Sequence, residues 1–173
     1  MSLSFYDVSV GTYLQIAGAT QAFMATAADH FQAQGTPLDD VVNARLADDM
    51  NTFHFQAVCV VHHSLGAVKG MQSGEFRPPS GYADTDYAGL QQLVGDAVAK
   101  LEALTPAEVN ALADGQLMFK LGDNALPFTN QNFLLSFSLP NFYFHATTAY
   151  DLLRSLGAPL GKRDFLGQLR VGV

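Results

Sequence analysis

The sequence predicts one all-α domain, a four-helix bundle with a small β-hairpin inserted before its fourth helix. Three observations lead there. The chain has 173 residues, the length of one ordinary domain. Hydrophobic residues make up 49 % of it and charged residues only 14 %, which excludes a disordered or coiled-coil chain and implies a large core under a charge-poor surface. Four long stretches repeat their apolar residues at helical spacing and are separated by segments carrying Gly and Pro.

The first helix is expected over 7–34. Val10, Tyr13, Leu14, Ala17, Met24, Ala28 and Phe31 make its apolar stripe, and Gly35 stops it. Gly11 and Gly18 share a face where a neighbour can approach closely. Thr36-Pro37 restarts the chain in a short helix to Asn43. The second helix is expected over 47–71 on the stripe Met50, Phe53, Ala57, Val60 and Val61, and residues 73–84 form a loop with two Gly and two Pro.

Thr85 is the expected cap of the third helix, whose amphipathic series runs from Tyr87 through Leu90, Val94 and Leu101 to Leu104. Thr105-Pro106 ends it and opens another helical turn. Residues 117–121 and 126–128 flank Gly122-Asp-Asn-Ala125 as the two arms of a hairpin. The fourth helix is expected over 130–156, ending at Gly157, with Pro140 kinking it by removing one backbone bond. Beyond Pro159 the tail shows little periodicity.

Charge and cysteine content exclude several function classes. Nine Lys and Arg against sixteen Asp and Glu leave a net charge of −7, which argues against nucleic acid and anionic membranes as partners. Cys59 is the single cysteine, so no intramolecular disulfide or thiolate cluster forms, and it is expected in the core. Residues 8–28 carry no formal charge and 124–150 carry only His145. Both hold too many polar residues for a bilayer span, which needs about 20 predominantly apolar ones. Residues 1–7 lack the cationic start of a signal peptide, and a cytoplasmic location is expected.

The candidate site residues lie on the second and fourth helices. Asp49, Gln56 and His63 are spaced by sevens and share one face of helix 2, while His62 is turned by about 100° from His63. Helix 4 offers His145 and Tyr150. Asp49, Gln56, His63, His145 and Tyr150 are therefore expected to line a small-molecule pocket between the two helices. A second reading gives His63 and His145 a divalent metal, Zn²⁺ or Ni²⁺, with Asp49 or water completing the shell of an enzyme that activates a thiol or water. A third is a non-catalytic homodimeric stress or scaffold protein whose low surface charge marks an apolar dimer face. Against all three stands a core whose polar groups only satisfy one another. The sequence holds no Gly-x-Ser-x-Gly elbow and no phosphate-binding loop after a strand.

Two segments carry a family resemblance. Leu139-Pro-Asn-Phe-Tyr-Phe-His-Ala-Thr-Thr-Ala-Tyr-Asp-Leu-Leu-Arg154, followed by Gly157-Ala-Pro-Leu-Gly-Lys-Arg-Asp-Phe-Leu166, resembles the C-terminal signature of an uncharacterised bacterial family. This is the domain-of-unknown-function family nineteen ninety-three, placed in the DinB/YfiT-like superfamily. Leu46-Ala-Asp-Asp-Met50 and Gln56 are similar to its second motif. The resemblance implies an up-down-down-up four-helix bundle, often a homodimer. It also implies a superfamily in which some members, thiol-dependent transferases and isomerases among them, hold a divalent metal with three histidines. One of those comes from helix 2 and two from a His-x-x-x-His on helix 4. Here His145 falls in that region, Ala149 stands at the partner position, and His63 is the helix 2 counterpart. The tail, with Lys162, Arg163 and Asp164, is expected to fold back on the bundle, and Lys162 or Arg163 either pairs with a bundle carboxylate or serves binding.

Overall fold

A computed structural model describes residues 3–172. The chain is mostly helical, with a three-stranded sheet at one end. Ser4 opens α1 (Phe5–Val8) with a reciprocal capping box to Asp7, and Ser9 breaks the helix before α2 (Val10–Ala33) begins. The single helix expected over 7–34 is thus two. Gly35, at φ +71°, ends α2 as expected, and α3 (Leu38–Asn43) follows Pro37.

The second long helix starts at Phe53, not at residue 47. Residues 46–50 form bends and turns, and Thr52 holds extended backbone before α4 (Phe53–Val61). The Phe53 N–H donates to the Ala44 carbonyl at 2.9 Å, and the Arg45 guanidinium donates to the Met50 carbonyl. These bonds satisfy the turn backbone that a longer helix would have used. α4 passes through a π-helical turn (His62–Gly66) into α5 (Ala67–Ser73). Gly74, at φ +76°, then turns the chain into β1 (Glu75–Phe76).

Asp86, one residue after the expected cap, accepts from the Gly89 N–H and starts α6 (Tyr87–Glu102). Thr105 and Glu108 form the capping box of α7 (Pro106–Asn110). The hairpin is present as β2 (Gln116–Leu121) and β3 (Asn124–Thr129), antiparallel from Gln116 opposite Thr129 to Leu121 opposite Asn124. Gly122, at φ +58°, occupies the first of its two turn positions, where a short hairpin takes glycine. β1 adds in parallel to β2, so a third strand joins the expected pair and the chain is not purely α. A Cβ at Gly70 would stand 2.9 Å from Phe76 Cδ2, so bare backbone lets β1 lie on α5.

The fourth long helix is also interrupted. α8 (Asn130–Phe133) runs through a π-helical turn (Leu134–Ser138) into α9 (Leu139–Ser155). Pro140 therefore sits in the first turn of α9, just past the π turn, and its missing N–H falls where the helical ladder is already being reset. Gly157, at φ +101°, stops the helix. The tail forms α10 (Lys162–Leu166), capped by Asp164, which accepts from the Gly161 N–H at 2.6 Å. It folds back as expected: Gln15 donates to the Leu166 carbonyl, and Arg170 donates to the Asp7 carbonyl. The close approach at Gly11 is made by Arg170, while Gly18 has no near neighbour. Among the described residues, Lys162 and Arg163 make no ion pair.

The long helices pack in a ring, α2 on α6, α6 on α4, α4 on α9 and α9 on α2, with the sheet against α5 and α8. Tyr13, Phe23, Phe31, Phe53, Tyr87, Phe133 and Phe142 fill the interior. Phe53 stacks on Tyr87 at 5.5 Å between ring centres, and the Tyr87 hydroxyl donates to the Met24 carbonyl. Cys59 is buried, and its thiol is pushed up to about 12 by that burial, so it is an inert core group as expected. Among the described residues no helix is long and apolar enough to cross a membrane.

Candidate functional site

Gln56 lies on the first turn of α4, buried to 2 % exposure. Its Nε2 donates to the Asn51 carbonyl at 3.1 Å, which leaves Oε1 as an acceptor aimed at α9. There it meets His145 Nδ1 at 2.7 Å. Oε1 can only accept, so Nδ1 carries the proton and the neutral ring keeps its lone pair on Nε2.

His63 stands beside His145. The two rings are 5.6 Å apart and nearly parallel, at 11°. His62 meets His63 edge-on at 5.2 Å, and Phe76 and Phe137 close the remaining sides. Burial first, and then the neighbouring His62 and His145, push His63 down to about 3. His145 is pushed down to about 4 by burial and then by His62. His62 is lowered too, burial outweighing its bond to the Arg77 carbonyl. All three rings are neutral at neutral pH, and His63 Nδ1 is buried with no hydrogen-bond partner.

The backbone under His63 is held from the facing helix. Ser138, the last residue of the second π turn, donates to the His63 carbonyl at 2.7 Å. Its one proton is spent there, so the buried Tyr13 hydroxyl, 2.6 Å away, is the donor to Ser138 Oγ. The two π turns thus meet through one serine, and α2 joins them through Tyr13.

Three of the five expected lining residues come together: Gln56, His63 and His145. Asp49 does not join them. It lies exposed in the turn before α4, because the helix that would have carried it onto their face starts at Phe53. Tyr150 faces elsewhere, packing edge-on against Phe23 of α2 and Phe165 of α10. Sequence reasoning left His62 unassigned, and Ser138 gave no signal, since a serine in an uncharged helix carries no periodic or motif mark.

The donor set does not fit a divalent ion. A zinc centre needs three or four protein ligands. His145 offers one free lone pair, on Nε2, but Ala149 offers no donor, and among the described residues no group of three His, Cys, Asp or Glu is placed to hold a metal. Two imidazoles alone do not make such a site.

No curated protein matches the chain. The crystal structure of a DinB family member protein from Shewanella denitrificans superposes with a TM-score of 0.80 at 24 % identity, over 97 % of this chain and 94 % of that one. At that identity the likeness establishes the fold. Residues 5–166 match the model of the family described as Domain of unknown function (DUF1993). With that match over nearly its whole length, the chain belongs to the DUF1993 family.

Proposed function

We propose that this protein binds a small polar molecule where helix 2 meets helix 4 of an up-down-down-up bundle, at Gln56, His63 and His145. The observation that carries the reading is the orphaned His63 Nδ1. A buried polar atom without a partner costs about 1–3 kcal/mol, and a bound molecule that pairs with it removes that cost. The site is lined by neutral rings and an amide, which suits an uncharged or weakly polar ligand. Native mass spectrometry of gently purified protein tests this: a bound small-molecule mass is expected on the wild type and not on His145→Ala at unchanged helical content. A wild type that carries nothing, or an adduct that survives the substitution, overturns it.

A homodimer is favoured by a separate observation. Leu135 (58 % exposed), Phe144 (55 %) and Tyr143 (40 %) stand on the outer side of the fourth helical segment, within residues 130–150, which have no Asp, Glu, Lys or Arg. Two copies of a chain at −7 repel each other least across an apolar face, and the charges bordering this one, Asp7 and Arg170, are of opposite sign. Sedimentation is expected to give a dimer at micromolar concentration and a monomer for Leu135→Arg, which places like charges across a two-fold contact. A monomeric wild type counts against the dimer without touching the ligand reading.

A further inference from the structure

Beside His62, a cavity of about 770 Å³ opens between α5 and the loop that follows β1. Its lining includes His62, Gly66, Lys69, Phe76, Arg77 and Tyr82, and shares no residue with the Gln56, His63 and His145 set. Charge there runs against the rest of the chain. Glu75, the one carboxylate in the lining, is shared between Arg77 at 2.5 Å and Lys120. Lys69 has no ion pair among the described residues. Two cations thus share a single anion and a third has none, in a protein of net charge −7.

The chemistry of His62 is fixed by its neighbours. Its Nε2 lies 2.8 Å from the Arg77 carbonyl, which can only accept, so Nε2 carries the proton and Nδ1 is a lone pair. The Tyr82 hydroxyl is 3.5 Å from Nδ1, the outer limit of a hydrogen bond. A half-buried acceptor is therefore held in one tautomer and left nearly unused at the cavity wall. Gly66 leaves it uncovered, since a Cβ there would stand 3.4 Å from Nδ1.

We propose that this groove binds a small ring-bearing organic acid, with its anionic group between Lys69 and Arg77, its ring beside Tyr82, and an O–H or N–H donated to His62 Nδ1. An anion answers the excess cation, and the donor completes an acceptor whose present partner is too distant to satisfy it.

Three probes separate these terms by calorimetric titration. The probes are para-hydroxybenzoate, benzoate, which lacks the donor, and para-hydroxybenzamide, which lacks the charge. The first is expected to bind tightest. Benzoate is expected about three- to tenfold weaker, the worth of one hydrogen bond, and the amide is expected to show no saturable binding. Lys69→Gln weakens both acids together. Gly66→Ala is the decisive variant: its backbone is right-handed helical, so alanine suits it and supports the helix. Its methyl group covers His62 Nδ1 and removes only the advantage of para-hydroxybenzoate over benzoate. Equal binding of all three probes, binding of none, or an intact advantage in Gly66→Ala overturns the proposal. His145→Ala is expected to leave the titrations unchanged, so failure here and failure of the helix 2–helix 4 site are distinguishable.

Discussion

Replacing Ser138 by alanine is expected to lower the free energy of unfolding by about 2–4 kcal/mol, an unusually large effect for the loss of one oxygen. Two bonds disappear at once. Tyr13 is fully buried, so its hydroxyl is left as a donor with no acceptor and no access to water. The His63 carbonyl loses its cross-helix donor inside a π turn, where backbone pairing is already irregular. Tyr13→Phe should cost less, about 1 kcal/mol, because Ser138 still donates to His63 when the phenol is gone. The double variant should be milder than the sum of the two, since removing the phenol removes the donor that Ser138→Ala strands. Urea denaturation of the three variants measures this. If Ser138→Ala costs no more than Tyr13→Phe, Ser138 is not the joint between the two π turns.

That joint also marks where the sequence stops being informative. The helical stripes were legible because burial on one face imposes a period of about 3.6 residues, and Gly35, Gly122 and Gly157 mark stops because positive φ favours glycine. Gln56 and His63 stand beside His145. Asp49 does not, since a spacing of seven places residues together only while the helix lasts. Asn51 and Thr52 end it in favour of a turn whose carbonyls are taken by Gln56 and Arg45. Tyr150 is five residues from His145, about 140° around a helix, and its ring goes to α2 and α10. The two π turns carry no residue signature. They carry His62, His63 and Ser138, and they meet where Ser138 donates to the His63 carbonyl.

The histidine row makes the fold acid-sensitive in a particular window. In the unfolded chain His63 and His145 take up protons near pH 6.5, whereas in the folded protein burial holds them down to about 3 and about 4. Above pH 6.5 both states are neutral and stability is at its full value. Below it the unfolded state binds protons that the folded state refuses, so stability falls with pH until the folded values are reached. At pH 4.5 His63 alone accounts for a loss of about 2–3 kcal/mol by this linkage. Partly buried His145 adds about 1 kcal/mol after allowing for solvent screening, and His62 acts in the same direction. The carboxylates Asp7, Glu75 and Glu108 are lowered by their hydrogen-bond partners, so the stability they contribute is lost mainly as pH falls below this window. Urea midpoints are therefore expected to drop steeply between pH 6.5 and 4.5. His63→Phe, which keeps the ring volume and removes both the titration and the orphaned nitrogen, is expected to flatten most of that slope and to match or exceed the wild type at pH 4.5. An equal slope in the variant would mean that His63 is solvated in the folded protein, and its unpaired nitrogen would then no longer argue for a ligand.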